Sequence, residues 1–222
     1  LSEALADWLA GLIGRQPTDL AVFERALTHG SQSAINYERL EFLGDRVLGL
    51  TLAEWLYARF PGEPEGKLSR RFNSLVTGVV CADVAREIGV PAHLKLGKQA
   101  RDDGAASSDN VLGDVMEALI GALFLDAGFD AARAWVRELW ASRIDDQTAA
   151  PKHPKSALQE WAAANNRRAP AYVLIDRSGP GHAPRFTVRA SIGTLAEADG
   201  AGSSKQEAET AAAAALLAAV TG

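Results

Sequence analysis

The 222-residue sequence holds one cysteine, one methionine and four histidines. A single thiol, Cys81, cannot close an internal disulfide or build a thiolate metal cluster, and it fits a reducing compartment, so a cytoplasmic location is expected. Long apolar runs are also missing. The longest, Ala118 to Leu125 and Ala211 to Val220, fall short of the roughly 20 residues needed to span a bilayer. Glu3 and Asp7 stand where a secretory leader would carry Lys or Arg, which predicts no signal sequence. What is present is ordinary for a globular protein, with 47% hydrophobic and 23% charged residues. The length corresponds to about one and a half typical domains.

Positive charge is in deficit: 23 Lys and Arg face 28 Asp and Glu, a net charge of −5. Taken over the whole chain, this argues against a polyanionic partner. The deficit is uneven, however. Residues 1–150 carry 15 basic against 22 acidic side chains and residues 151–222 carry 8 against 6, or −7 and +2. The two parts have different electrostatics and are read separately.

The first part has helical periodicity almost throughout, with helices expected over Ser2 to Leu12, Asp19 to Leu27, Tyr37 to Arg59, Lys67 to Glu87, Asp109 to Leu125 and Asp130 to Trp140. The segment 145–154, DDQTAAPKHP, has two prolines and no apolar period, and is read as a linker. Beyond it the pattern is helix (Ser156 to Asn165), strand (Ala171 to Asp176), the turn cluster Ser178 to Gly181, strand (Arg185 to Ile192), a third strand around Thr194 to Ala198, and an Ala-rich helix from Gln206 to Val220. The expected organisation is an all-α domain over residues 1–144, a linker over 145–154 and a small α+β (α-β-β-β-α) domain over 155–222.

The most informative segment is ERLEFLGD, Glu38 to Asp45. Glu38, Glu41 and Asp45 are spaced by three and four, so on a helix they stack along one face, about 5–6 Å apart at each step. Leu40, Phe42, Leu43, Val47, Leu48, Leu50 and Leu52 cover most of the remaining circumference, the pattern of a buried helix. A second segment, Val111 to Ile120, repeats the device with Asp114 and Glu117. Glu65 is a further acidic candidate, from a loop. Buried carboxylates in a row are costly unless a cation faces them. If the two helices cross, Glu41, Asp45, Asp114 and Glu117 converge on an all-oxygen site suited to Mg²⁺, with Mn²⁺ as substitute. One such acidic pair would ordinarily be a solvated face; two within apolar helices are harder to dismiss. No histidine stands at ligand spacing from an acidic residue, so a histidine-based site is not expected.

These residues resemble bacterial ribonuclease III, and the resemblance covers nearly the whole chain. It extends from ERLEFLGD upstream through Ala26 to His29 and downstream through Leu56 and Tyr57, Phe60 and Pro61, Glu65 and Gly66, Leu75 and Val76, and Glu117 to Asp126. The part after the linker resembles a double-stranded RNA-binding domain through Lys155 to Glu160, Gly181 and His182 before Phe186, and Gly200 to Lys205 with Ala208 and Glu209.

The resemblance implies a homodimeric endonuclease that hydrolyses both strands of duplex RNA to 5′-phosphate and 3′-hydroxyl ends, in processing of ribosomal and other structured RNA precursors. It implies Mg²⁺ ligation by Glu41, Asp45, Asp114 and Glu117, and catalytic roles for Asp45 and Glu117 with Glu38 and Glu65 nearby. RNA contacts are implied for Gln159, Glu160, His182, Ser204 and Lys205, with no small-molecule cofactor and no membrane partner.

The sequence departs from the family pattern where Gln206 and Glu207 follow Lys205, where Phe72 replaces a common Arg, where Ala105 to Asn110 lacks basic residues, and where Tyr37 replaces a frequent Asn. These departures leave the six carboxylates intact and predict weaker duplex binding. A non-catalytic RNA-binding relative remains the alternative; loss of acidic positions would mark it, and all six are present.

Overall fold

Helix follows the apolar periodicity closely through the first part of the computed structural model, which describes residues 2–147, 150–179 and 184–221. Chain contacts divide the molecule into two units, Leu1–Pro151 and Lys152–Gly222.

In the first unit the helices are α1 (Ser2–Ile13), α2 (Leu20–Ala26), α3 (Glu38–Arg59), α4 (Glu65–Leu75), α5 (Gly78–Glu87), α6 (Lys98–Asp102) and α7 (Asp109–Asp145). Short 3-10 turns lie at Val90–Ala92 and Ala105–Ser107. Helix α7 runs through the core: Leu112, Met116, Leu119 and Leu123 are buried with Leu40, Leu48 and Leu52 of α3 and with Cys81, Val84 and Ala85 of α5.

Four expectations are corrected. The helix expected over Lys67 to Glu87 is two helices. Thr77 ends the continuity by accepting the amide of Val80 at 3.2 Å as the cap of α5, a local hydrogen bond that competes with helix propagation. Glu65 is not in a loop but opens α4. Helix α3 is not buried on nearly all sides, since Phe42 is 64% and Leu50 59% exposed. The helices expected on either side of Ala127 form one element broken at Gly128, whose φ of +83° is open to glycine at little steric cost. Near its end, the buried Arg71 donates to Glu63 at 2.7 and 2.8 Å and to the Gln147 carbonyl at 2.7 Å. This pairing satisfies a buried charge and anchors the chain just after α7.

The second unit consists of α8 (Pro154–Ala164), β1 (Ala171–Ser178), β2 (Arg185–Ile192), β3 (Ala196–Gly202) and α9 (Lys205–Thr221). The sheet is antiparallel in the order β1-β2-β3, with Val173 opposite Arg189 and Arg189 opposite Asp199. Its core joins Leu158 and Ala162 of α8, Val188, Ala190 and Ile192 of β2, and Ala208, Ala212, Ala213 and Leu216 of α9. The alanine-rich sequence has a packing reason besides helix propensity. A Cβ at Gly200 would lie 2.0 Å from the Ala212 amide nitrogen, so α9 rides directly on β3 and only small side chains fit between them.

Candidate active site

The acidic residues come together because α3 and α7 cross almost backbone to backbone. A Cβ placed on Gly44 would sit 1.7 Å from the Glu117 carbonyl oxygen, and one on Gly121 would sit 2.3 Å from the Leu40 carbonyl oxygen. Two glycines facing each other across the crossing therefore set its depth. On the other side of α7, Gly113 meets the Gly78 carbonyl at the start of α5, where a Cβ would lie at 2.9 Å. The acidic residues flank the glycines on each helix: Glu41 and Asp45 on α3, Asp114 and Glu117 on α7.

The carboxylates feel one another's charge: Glu41, Asp114 and Glu117 are raised, and Asp45 acts on Glu41 and Glu117. Glu117 is half-buried, and its carboxyl is pushed up to about 8, first by burial and then by the charges of Asp45, Glu41 and Asp114. Burial, then Asp114, Glu38 and Asp45, raise Glu41. Asp114 is raised by burial, opposed by a hydrogen bond from Tyr37 and by the nearby His29. Each shift reflects negative charge held where water screens it poorly. The buried Cys81 thiol lies 4.0 Å from Glu117 Oε1 and is itself pushed up to about 12 by burial and by Glu117. It is neutral at physiological pH and unsuited to nucleophilic work.

Asp45 pairs with Arg46, whose guanidinium also lies 4.6 Å from the Phe42 ring centroid. Glu38 is exposed at the first turn of α3, and its charge reaches Glu41. Glu65 stands apart: it accepts from Ser69 Oγ at 2.5 Å and contributes to none of the raised carboxyls of the cluster. Among the described residues, no three His, Cys, Asp or Glu side chains are drawn into a ready-formed ion cage. The donor set is nonetheless chemically apt for a hard cation, being all oxygen, half-buried and mutually repelling.

In the second unit, Gln159 and Glu160 lie exposed on α8, and Glu160 pairs with Lys152. Lys205 is exposed at the first turn of α9. Ser204 Oγ accepts the Glu207 amide at 3.1 Å and so caps that helix. His182 lies outside the described residues. Glu207 has a local role that its sequence position does not reveal. Its carboxylate turns back onto the Ser203 amide at 2.8 Å and the Ser203 hydroxyl at 2.6 Å, placing a negative charge where a helix N-terminus would otherwise attract an anion.

Tyr37, a departure from the family pattern, donates its hydroxyl to Asp114 Oδ2 at 3.2 Å across 77 residues of sequence. No local signal announces a contact between such distant positions.

Comparison with known proteins agrees with this architecture. Residues 19–144 match the model of a ribonuclease-III-like family, and residues 154–220 match the double-stranded RNA binding motif. The chain is 60% identical to Ribonuclease 3 of Zymomonas mobilis over 97% of its own length and 88% of that protein's. It is 50% identical to Ribonuclease 3 of Dinoroseobacter shibae over 88% and 87% of the two chains. Among solved structures, the nuclease domain of ribonuclease III from Campylobacter jejuni superposes with a TM-score of 0.61 at 31% identity, covering 63% of this chain and 98% of that one. The chain belongs to the ribonuclease III family of endoribonucleases, its all-α nuclease domain followed by a small α+β double-stranded RNA binding motif.

Proposed function

We propose that this endoribonuclease hydrolyses double-stranded RNA with Mg²⁺ held by Glu41, Asp45, Asp114 and Glu117, and that Mn²⁺ substitutes for it. One observation carries the reading: the Gly44–Gly121 crossing gathers those four carboxylates into a single electrostatic cluster, in a chain that also contains a double-stranded RNA binding motif. A bound divalent ion supplies acidification of a water and neutralisation of charge on the phosphate. The protein's own contribution is placement. The crossing fixes the spacing of the α3 and α7 carboxylates, and the buried faces of both helices hold them in a poorly screened environment. Hydrolysis joins a water oxygen to phosphorus and breaks the P–O3′ bond, leaving a 5′-phosphate and a protonated 3′-hydroxyl. Glu38 flanks the cluster on the same helix, and Glu65 serves the same reaction from the start of α4.

The protein acts as a homodimer through its nuclease domain. Ile35, Phe42, Leu50 and Leu125 are large apolar side chains more than half exposed in the single chain, a cost that a partner surface would remove. The Campylobacter jejuni nuclease domain shows structural flexibility in a region involved in dimer formation. Structured precursors, ribosomal RNA among them, are its cytoplasmic substrates.

Duplex affinity belongs to the second unit, through Gln159, Glu160, His182, Ser204 and Lys205. A double-stranded RNA-binding domain reads A-form shape across about 16 base pairs. A chain ending at Pro151 is expected to retain slow Mg²⁺-dependent cleavage at low salt and to lose duplex affinity on the order of a hundredfold near 0.15 M salt. Gel-shift titration of the full and shortened chains on one duplex measures this. Equal affinities would overturn the assignment of binding to the second unit. With Glu207 at the start of α9, the full chain should also show a shallower dependence of log affinity on log salt than a relative with basic residues at positions 206 and 207.

A further inference from the structure

Tyr37 immediately precedes α3 and is held at both ends. Its amide donates to the Thr28 carbonyl at 3.0 Å, and its carbonyl accepts the amides of Leu40 and Glu41 at 2.8 and 2.9 Å. Thr28 is in turn bridged to Lys95, and the His29 ring lies 5.8 Å from the Tyr37 ring. The residue is only 6% exposed, so the phenol has little freedom. From this fixed base its hydroxyl spans the gap to α7 and donates to Asp114 Oδ2 at 3.2 Å.

Asp114 has a short side chain on a helix, and its carboxylate can turn unless something holds it. A hydrogen bond to one oxygen selects one orientation and leaves the other oxygen, Oδ1, free to ligate. We propose that Tyr37 is a positioning residue: its hydroxyl fixes the Asp114 carboxylate so that Oδ1 is offered to the divalent ion together with Glu41, Asp45 and Glu117. The proposal rests on the Mg²⁺ reading above and adds to it a group outside the six acidic positions. Hydrogen-bond partners of metal ligands typically change affinity or activity by about 10–100-fold when removed. At 3.2 Å the bond is long for a hydroxyl donor, which places the expected effect near the lower end.

The test is Tyr37→Phe in the full chain, which keeps the ring and the backbone contacts and deletes the hydroxyl. Mn²⁺ binding by isothermal titration calorimetry is expected to weaken about tenfold. The Mg²⁺ concentration for half-maximal cleavage should rise by the same factor, with most of the rate recovered at saturating Mg²⁺. Duplex binding without divalent ions should not change. In an Asp114→Asn background the same substitution should weaken Mn²⁺ binding no further, because the hydroxyl acts through that carboxylate. Equal Mn²⁺ affinity in Tyr37→Phe and the parent, or a full additional loss in the Asp114→Asn background, overturns the proposal while leaving the metal reading intact. Failure of the parent to bind Mn²⁺ at all overturns the metal reading, and this proposal with it.

Discussion

Glu117→Gln is expected to lower duplex cleavage on the order of a thousandfold or more while leaving duplex affinity unchanged. The same variant should match or exceed the parent in thermal stability without metal. The two effects have one origin. Burial, together with Asp45, Glu41 and Asp114, lifts the Glu117 carboxyl from an ordinary value near 4.5 to about 8. A carboxyl raised on folding contributes stability that is fully present below about 4.5 and is lost as pH rises through about 8. The metal-free parent should therefore lose melting temperature between pH 5 and pH 8.5, and glutamine should flatten that part of the curve. Mg²⁺ should raise the parent's melting temperature most at the alkaline end, where the carboxyl is ionised, and should raise the variant's less. Melting curves at several pH values with and without Mg²⁺ measure all of this. A steeper alkaline loss in the glutamine variant would contradict the assignment of strain to Glu117.

Gly44→Ala should be among the most damaging single substitutions in the nuclease domain. The added methyl meets the Glu117 carbonyl oxygen and carbon at 1.7 and 2.5 Å and the Gly121 amide nitrogen at 2.9 Å. All three are backbone atoms of α7, so no rotamer change relieves the clash and the helices must separate. The cost should reach about 3 kcal/mol or more, a fall in melting temperature on the order of 10 °C for a domain of this size. Cleavage should fall with it, because the crossing that would be forced apart is the one that spaces Asp45 from Glu117. Gly11→Ala is the matched control. Nothing lies within 4 Å of a Cβ there, and alanine within α1 should stabilise by about 0.5–1 kcal/mol. Equal melting temperatures for the Gly44 variant and the parent would show that the crossing is looser than its backbone distances imply.

The sequence made part of this legible because part of it is encoded locally. Glu38, Glu41 and Asp45 advertise one helix face by spacing alone, and the strand Arg185–Ile192 alternates as its burial does. Asp114 and Glu117 are likewise readable as a pair. Their partnership with α3 is not, because it depends on Gly44 and Gly121, which in sequence look only like weak helix formers. The break between α4 and α5 is hidden in the sequence because apolar residues continue across it, and a single threonine cap outweighs that periodicity. The exposure of Phe42 and Leu50 is not legible in the sequence, because an apolar residue awaiting a partner surface looks the same as one in a core. The Tyr37 hydroxyl and the inward turn of Glu207 are contacts of particular side chains, invisible to periodicity.

The most direct test of the central claim is incubation of the full chain with a long, end-labelled RNA duplex, in Mg²⁺ and in parallel with excess chelator, followed by analysis of product ends. Cleavage only with Mg²⁺, giving 5′-phosphate and 3′-hydroxyl termini, is the predicted result. Undiminished cleavage in chelator, or products ending in 2′,3′-cyclic phosphate, would contradict a carboxylate-held metal site at the crossing of α3 and α7.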